Sequence, residues 1–319
     1  MTDSVGRHAA AEELAETLIL PARRESYVNG NGQGLARGPV VRAAGRHEAR
    51  ASVTGGEADE DHGARLTDAA QPAPVAGERM ANRTSALRLV WVYPDLLSTY
   101  GDRGNLLVLI RRAKLRGIDV EAVEVKSDQP VPNQGDIYLL GGGEDLPQIL
   151  AANRLRKDGG LVAAANHGSV VFAVCAGYQV LGHRFGGVEG EPVDGLSILD
   201  ITSGRGDRRG VGELVADVDP ALSVPRFTGF ENHQGVTRLG PGARPLAQVS
   251  LGVGNGDGTE GAYAGKVLGT YMHGPALARN PGLADLLLSW VAGRLAPLDP
   301  DAEEWASQLR AERLAAVGG

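Results

Sequence analysis

The sequence predicts an α/β protein built on an open, mostly parallel sheet with flanking helices. Three observations carry that expectation. Short apolar runs recur at 87–92, 136–140 and 170–174. Segments with apolar residues at helical spacing lie between them. Glycines cluster directly after the runs, as in Gly141-Gly142-Gly143 and Ala176-Gly177. Strands alternating with helices imply βαβ units, and right-handed crossovers bring the strand ends to one edge of the sheet.

The first 85 residues stand apart from this pattern. Ser26 to Ala86 is rich in Gly, Ala, Arg and acidic residues, with neither strand nor helix periodicity. Such a composition buries too little apolar surface to offset the ordering entropy, so residues 1–85 are expected to be a disordered low-complexity extension, with one short helix over Ala9 to Leu20. Met80, just before the first convincing strand, suggests that the functional chain begins there and that residues 1–79 are a start-site extension. The α/β domain is expected over 86–296, with a C-terminal helix and tail over 297–319.

Within the domain, Leu87 to Val92 reads as the first strand, followed by a loop over 94–104. Asn105 to Arg116 carries Leu106, Leu109, Ile110 and Ala113 at helical spacing and stops at Gly117. Asp119 to Val125 and Asp136 to Leu140 read as the next strands, and two helices fill 146–167, broken at Gly159-Gly160. After Gly182 the composition becomes turn-rich. A loop is expected over 186–195, a strand over Leu196 to Ile201, a basic turn over 204–214 leading into a strand, and turns over 230–237 and 252–261. Lys266 to Tyr271 is the last strand. Helices are expected over Asn280 to Leu295 and Pro300 to Ala316, the latter with Asp299 as N-cap and Pro300 at its first position.

Composition narrows the function. The 319-residue chain has a net charge of -7 and a pI near 5.6, which argues against nucleic-acid or membrane-surface binding. Its single cysteine excludes a disulfide framework or a cysteine-based zinc site and suits a reducing cytoplasm. No apolar run reaches the roughly 18–20 residues needed to cross a bilayer, and the N-terminus lacks the pattern of a signal peptide.

That cysteine closes the most informative stretch. Val170 to Val174 has the length and apolarity of a buried parallel strand, and Cys175-Ala176-Gly177 turns it into the short helical segment Tyr178 to Leu181. A nucleophile on such a turn is raised into the crevice at the carboxyl edge of the sheet. There the helix N-terminus is expected to favour thiolate over thiol. A lone cysteine is equally often a packing residue, so its neighbours matter. Gly141-Gly142-Gly143 follows a strand at the same edge, and the N–H of Ala176 with one from Gly142 or Gly143 could serve a developing oxyanion. Of the seven histidines, His233 and His273 are the candidate bases. His273 is favoured because it follows a buried strand and precedes a Gly-Pro break.

The run Cys175-Ala176-Gly177-Tyr178-Gln179, with Gly141-Gly142-Gly143 upstream and Tyr271-Met272-His273-Gly274-Pro275 downstream, resembles the class I glutamine amidotransferases of the cobyric-acid-synthase-like (CobB/CobQ) branch, whose fold is flavodoxin-like. Tyr100-Gly101-Asp102-Arg103-Gly104-Asn105 and Gly229-Phe230-Glu231-Asn232-His233 are similar to the GatD family within it, the glutaminase subunits of lipid II isoglutaminyl synthases. The resemblance covers about 87–295. It implies that Cys175 attacks the carboxamide of L-glutamine to form a thioester, that His273 transfers the protons, and that ammonia passes to a MurT-like Mur-ligase subunit acting on lipid II. It also implies that Arg209, beside Arg208, pairs with the glutamine α-carboxylate, and that Gln179 belongs to the glutamine pocket. No cofactor or metal is expected in this chain. It has no G-x-x-x-x-G-K-[ST] loop, so ATP and magnesium fall to the partner subunit. Gly274-Pro275 stands where many class I enzymes carry Pro-Glu after the histidine. The resemblance therefore implies that the third catalytic residue comes from the partner, and that the isolated chain is a poor glutaminase. The alternatives are an amidotransferase subunit for cobyric acid synthesis and a non-catalytic docking protein.

Overall fold

The computed structural model describes residues 85–317. The expectations of a disordered extension, of a helix over Ala9 to Leu20 and of a start at Met80 fall on residues outside that range. The described elements are β1 (Leu87–Val92), α1 (Arg103–Lys114), β2 (Val120–Val125), β3 (Ile137–Leu140), α2 (Asp145–Asp158), α3 (Gly160–Asn166), β4 (Val170–Val174), α4 (Ala176–Val180), β5 (Arg184–Gly186), β6 (Pro192–Asp194), β7 (Ile201–Val218), β8 (Phe227–Leu239), β9 (Arg244–Leu251), β10 (Thr259–Ala264), β11 (Val267–Thr270), α5 (Ala276–Arg279), α6 (Pro281–Ala292) and α7 (Pro300–Ala316).

The parallel heart of the sheet runs β2-β1-β3-β4-β11. Its side chains alternate between two apolar layers, as a period of two requires. Val90, Val92, Tyr138, Leu140, Val171 and Ala173 pack with Ala151, Leu155, Leu161 and Ala164 of α2 and α3. Leu89, Trp91, Ile137, Leu139, Phe172 and Val174 pack on the opposite face with Leu106 and Leu109 of α1 and Leu283 and Leu287 of α6. Helices therefore cover both faces, which is why these strands read as continuous apolar runs. Arg112 of α1 ties the C-terminal helices to this layer, holding Asp285 of α6 at 2.7 Å and Glu303 of α7 at 2.7 Å. Asp299 caps α7 by accepting the Asp301 N–H at 2.9 Å, with Pro300 in the first turn.

Beyond β11 the sheet continues in the order β10-β9-β7-β5-β6, with β8 paired to β7; these pairings are antiparallel except the short parallel bridge of β5 to β7. The sequence expectation is weakest here. β7 is 18 residues long and absorbs the basic segment 204–214, while β8 absorbs the expected turn at 230–237. The strand expected over Leu196 to Ile201 begins only at Ile201, and the expected loop at 186–195 contains the short hairpin β5–β6. Glycine-rich composition hides β7 because its ladder to β8 is interrupted between Arg205 and Gly210, where the register shifts. Glycines accumulate at such bulges.

Phe172 is 1 % exposed at the centre of the parallel sheet. Phe172→Ala should destabilise the chain by about 3–5 kcal/mol, read as a lowered urea midpoint at unchanged denaturant slope.

Candidate active site

Four segments converge at the carboxyl edge of the parallel strands, where open α/β sheets bind ligands. They are the loop after β1, the glycines after β3, the turn after β4 and the segment after β11. The register sets their heights, because Leu140 pairs with Ala173 and Val174 with Thr270. The glycine loop, Cys175 and Tyr271 thus leave the sheet at the same level.

Cys175 has φ 51° and ψ -108°, a backbone conformation that costs a non-glycine residue about 1–3 kcal/mol. Neighbouring strands over-determine it. Its N–H donates to Thr270 O at 2.8 Å, its carbonyl accepts the Gln179 N–H at 3.0 Å, and the Gly177 N–H donates to Gly141 O at 3.1 Å. A Cβ on Gly177 would lie 2.8 Å from that same carbonyl oxygen, so only glycine allows the turn to seat on the glycine loop.

Cys175 is half-buried and lines a cleft of about 150 Å³. Desolvation, with a smaller contribution from the Asp102 charge, pushes its thiol up to about 12, against the opposing pull of the Ala176 N–H and Arg209. The expectation of a ready thiolate is therefore corrected. The helix after Cys175 is only five residues long, too short a dipole to outweigh burial. Cys175 rests as a thiol and needs a base to act.

His273 is fully buried. Its backbone is bridged to Phe230 of β8, with N–H to O at 2.7 Å and the reciprocal bond at 3.3 Å. Its Nδ1 lies 3.3 Å from Asp102 Oδ1, Tyr100 meets the ring edge-on at 5.0 Å, and Nε2 has no partner among the described residues. His233 is arranged differently. It stacks on Tyr271 at 3.8 Å, and both of its ring nitrogens are turned to protein acceptors, Gly235 O at 3.0 Å and Glu231 Oε2 at 3.4 Å. It forms a wall of the cleft, whereas His273 lies outside the cleft lining and keeps its Nε2 without a partner among the described residues.

The other candidate residues fall as follows. The Gly142 N–H donates to Asp102 Oδ2 at 2.5 Å and is thereby committed, whereas Gly143 lines the cleft. Ala176 lines the same cleft. Arg209 lines the same cleft as Cys175, with Nε donating to Asn232 Oδ1 at 2.8 Å, while Arg208 lies outside the lining. Gln179 also lines the cleft, but both ends of its amide are engaged. Nε2 donates to the Tyr271 hydroxyl at 3.0 Å, and Oε1 accepts from Gln148 Nε2 at 2.8 Å. Asp102 carries no expected role in the sequence, which places no acid after His273. The structure brings one from 171 residues away. Its only sequence signal is membership of the Tyr100 to Asn105 run. Among the described residues no cluster suited to a metal ion is found, and no helix is long and apolar enough to cross a membrane.

A cysteine on a strand-to-helix turn, a histidine from the adjacent strand end and a glycine loop at one sheet edge are the kinds of groups that thiol-dependent acyl transfer uses. Residues 88–281 match the CobB/CobQ-like glutamine amidotransferase domain, and the chain belongs to that family. It is thus an enzyme of the glutamine amidotransferase class. It is 34 % identical over 225 residues to the lipid II isoglutaminyl synthase (glutamine-hydrolyzing) subunit GatD of Staphylococcus aureus, covering 69 % of this chain and 90 % of that one. The subunit of the same name from Streptococcus pneumoniae is 34 % identical over 209 residues, covering 64 % and 79 % respectively. A cobyric acid synthase of Sphingopyxis alaskensis is 35 % identical over 180 residues, but the match spans 53 % of this chain and only 34 % of that enzyme.

Because the resting thiol is neutral, alkylation of Cys175 by iodoacetamide should be slow at pH 7. Its rate should climb without a plateau from pH 7 to 10 as the thiolate fraction grows. A plateau below pH 8 would contradict the burial effect.

Proposed function

We propose that this chain is the glutaminase subunit of a two-component ligase that amidates lipid II. The observation that carries the reading is the extent of the match: it spans 90 % of the staphylococcal GatD subunit but 34 % of the cobyric acid synthase. In this reading L-glutamine enters the cleft with its α-carboxylate against the Arg209 guanidinium and its carboxamide over Cys175. His273 Nε2 takes the thiol proton as sulfur attacks the carboxamide carbon. The oxyanion forms against the N–H groups of Gly143 and Ala176. The C–N bond breaks as His273 returns the proton to the departing ammonia, leaving a thioester on Cys175. Water, deprotonated by His273, then cleaves the thioester to glutamate and restores the thiol. Ammonia passes to a MurT-like Mur-ligase subunit. That partner, with ATP and magnesium, activates the D-glutamate α-carboxyl of lipid II and forms the amide. The reaction belongs to the cytoplasm, where ATP and glutamine are supplied.

The test is glutamine hydrolysis and lipid II amidation by the full chain co-purified with the Mur-ligase-like subunit. Both activities are expected and both should vanish in Cys175→Ala. Arg209→Ala should raise the KM for glutamine about tenfold or more, the scale of a lost charge-assisted hydrogen bond, with a smaller effect on kcat. Hydrolysis without lipid II amidation would move the pathway to the cobyric acid alternative, and no hydrolysis in the assembled pair would favour a docking protein.

A further inference from the structure

The most informative unassigned groups are the side chains of β8 that face the interrupted stretch of β7. The ladder pairs Arg205 with Gly235 and then Gly210 with His233, so Gly206 to Arg209 stand opposite the single residue Gln234. Bulges beside active sites re-aim a side chain, and this one carries Arg209 to the cleft. Strand pairing does not fix the guanidinium there, because Gly206 to Arg209 have no partner in the ladder. Side chains of β8 take over that task. Gln234 Nε2 donates to Gly206 O at 3.0 Å, at the start of the bulge. Asn232 Oδ1 accepts from Arg209 Nε at 2.8 Å, at its end. Residues 232 and 234 share one face of the strand, while His233 between them stacks on Tyr271. We infer that Asn232 is the positioning residue for Arg209, holding its guanidinium end-on to a carboxylate in the cleft, with Gln234 anchoring the bulge that carries it.

The chemistry follows from which donor is occupied. A guanidinium can grip a carboxylate side-on, through Nε and one terminal nitrogen, or end-on, through both terminal nitrogens. With Nε held by Asn232 the side-on grip is closed and the end-on pair remains. Arg209 is exposed, and an unrestrained arginine there would lose rotamer freedom on ordering against a ligand. Asn232 removes part of that cost before the ligand arrives. Its acceptor is a neutral amide, so the pairing orients the cation without cancelling the charge that a carboxylate reads. The charge so held also reaches Cys175, where Arg209 opposes the effect of burial.

The inference rests on the proposed glutaminase reading, in which that carboxylate is the α-carboxylate of glutamine, and its test separates the two. Full-length chain labelled with 15N-arginine, with the Arg209 Nε–H signal assigned by its loss in Arg209→Lys, reports the clasp without any need for activity. In the wild type that proton should exchange with water more slowly than the Nε–H of Arg208. Asn232→Leu should abolish the difference, and Asn232→Asp, which keeps an acceptor oxygen, should retain it. With the Mur-ligase-like subunit present, Asn232→Leu should raise the KM for glutamine about three- to tenfold, the scale of one lost hydrogen bond. Its kcat should stay within about twofold, as for a group used equally in ground and transition states. Added to Arg209→Ala, Asn232→Leu should change KM by less than about twofold further, because its effect passes through the missing guanidinium. A merely structural Asn232 would lower stability and kcat together and would cost as much without Arg209 as with it. Equal exchange at Arg208 and Arg209 in the wild type, or KM effects that multiply in the double variant, would overturn the inference. A wild-type pair that does not hydrolyse glutamine would overturn the functional reading, and exchange at Arg209 would still decide whether Asn232 holds it.

Discussion

The backbone of Cys175 is the constraint on which the site depends. Its left-handed conformation is unfavourable in isolation and is maintained by the strands on either side. β11 accepts the Cys175 N–H through Thr270, the glycine loop after β3 accepts the Gly177 N–H, and the short helix closes back onto the Cys175 carbonyl. These three bonds require β3, β4 and β11 to be parallel and in register. The buried apolar layers on both faces of the sheet therefore do more than stabilise the domain, because they fix where the sulfur stands relative to His273 and Gly143.

Burial of the site has an electrostatic consequence. Desolvation around Cys175 favours its neutral thiol. A neutral thiol is less exposed to adventitious oxidation and alkylation than a thiolate. Tyr100 meets the His273 ring, and Gln148, Gln179 and Tyr271 are joined to one another by amide and hydroxyl bonds beside the cleft.

The parts of the structure legible in the sequence are those made by local patterns. The Val170 to Val174 run, the small residues after Cys175 and the glycines after β3 each identify an element and an edge, and strand-end position favours His273 over His233. Asp102 could not be read this way, because nothing in the Tyr100 to Asn105 run shows that its carboxylate will face a histidine far along the chain and not its own helix. The antiparallel half was hidden for a different reason. β7 and β8 contain glycines, charges and a register shift that resemble turns, and their strand character comes from pairing with each other and with β9. Propensity is a poor guide in such strands because packing sets the preference.

The central claim is that Cys175 carries the acyl group of glutamine. The most direct measurement is intact-mass and peptide analysis of the full chain with the proposed Mur-ligase-like subunit, quenched in acid within the first turnovers after mixing with glutamine. The account predicts a glutamyl thioester on the peptide containing Cys175 that forms before glutamate reaches steady state and is absent from Cys175→Ser. Glutamate released at the normal rate by that variant would contradict it.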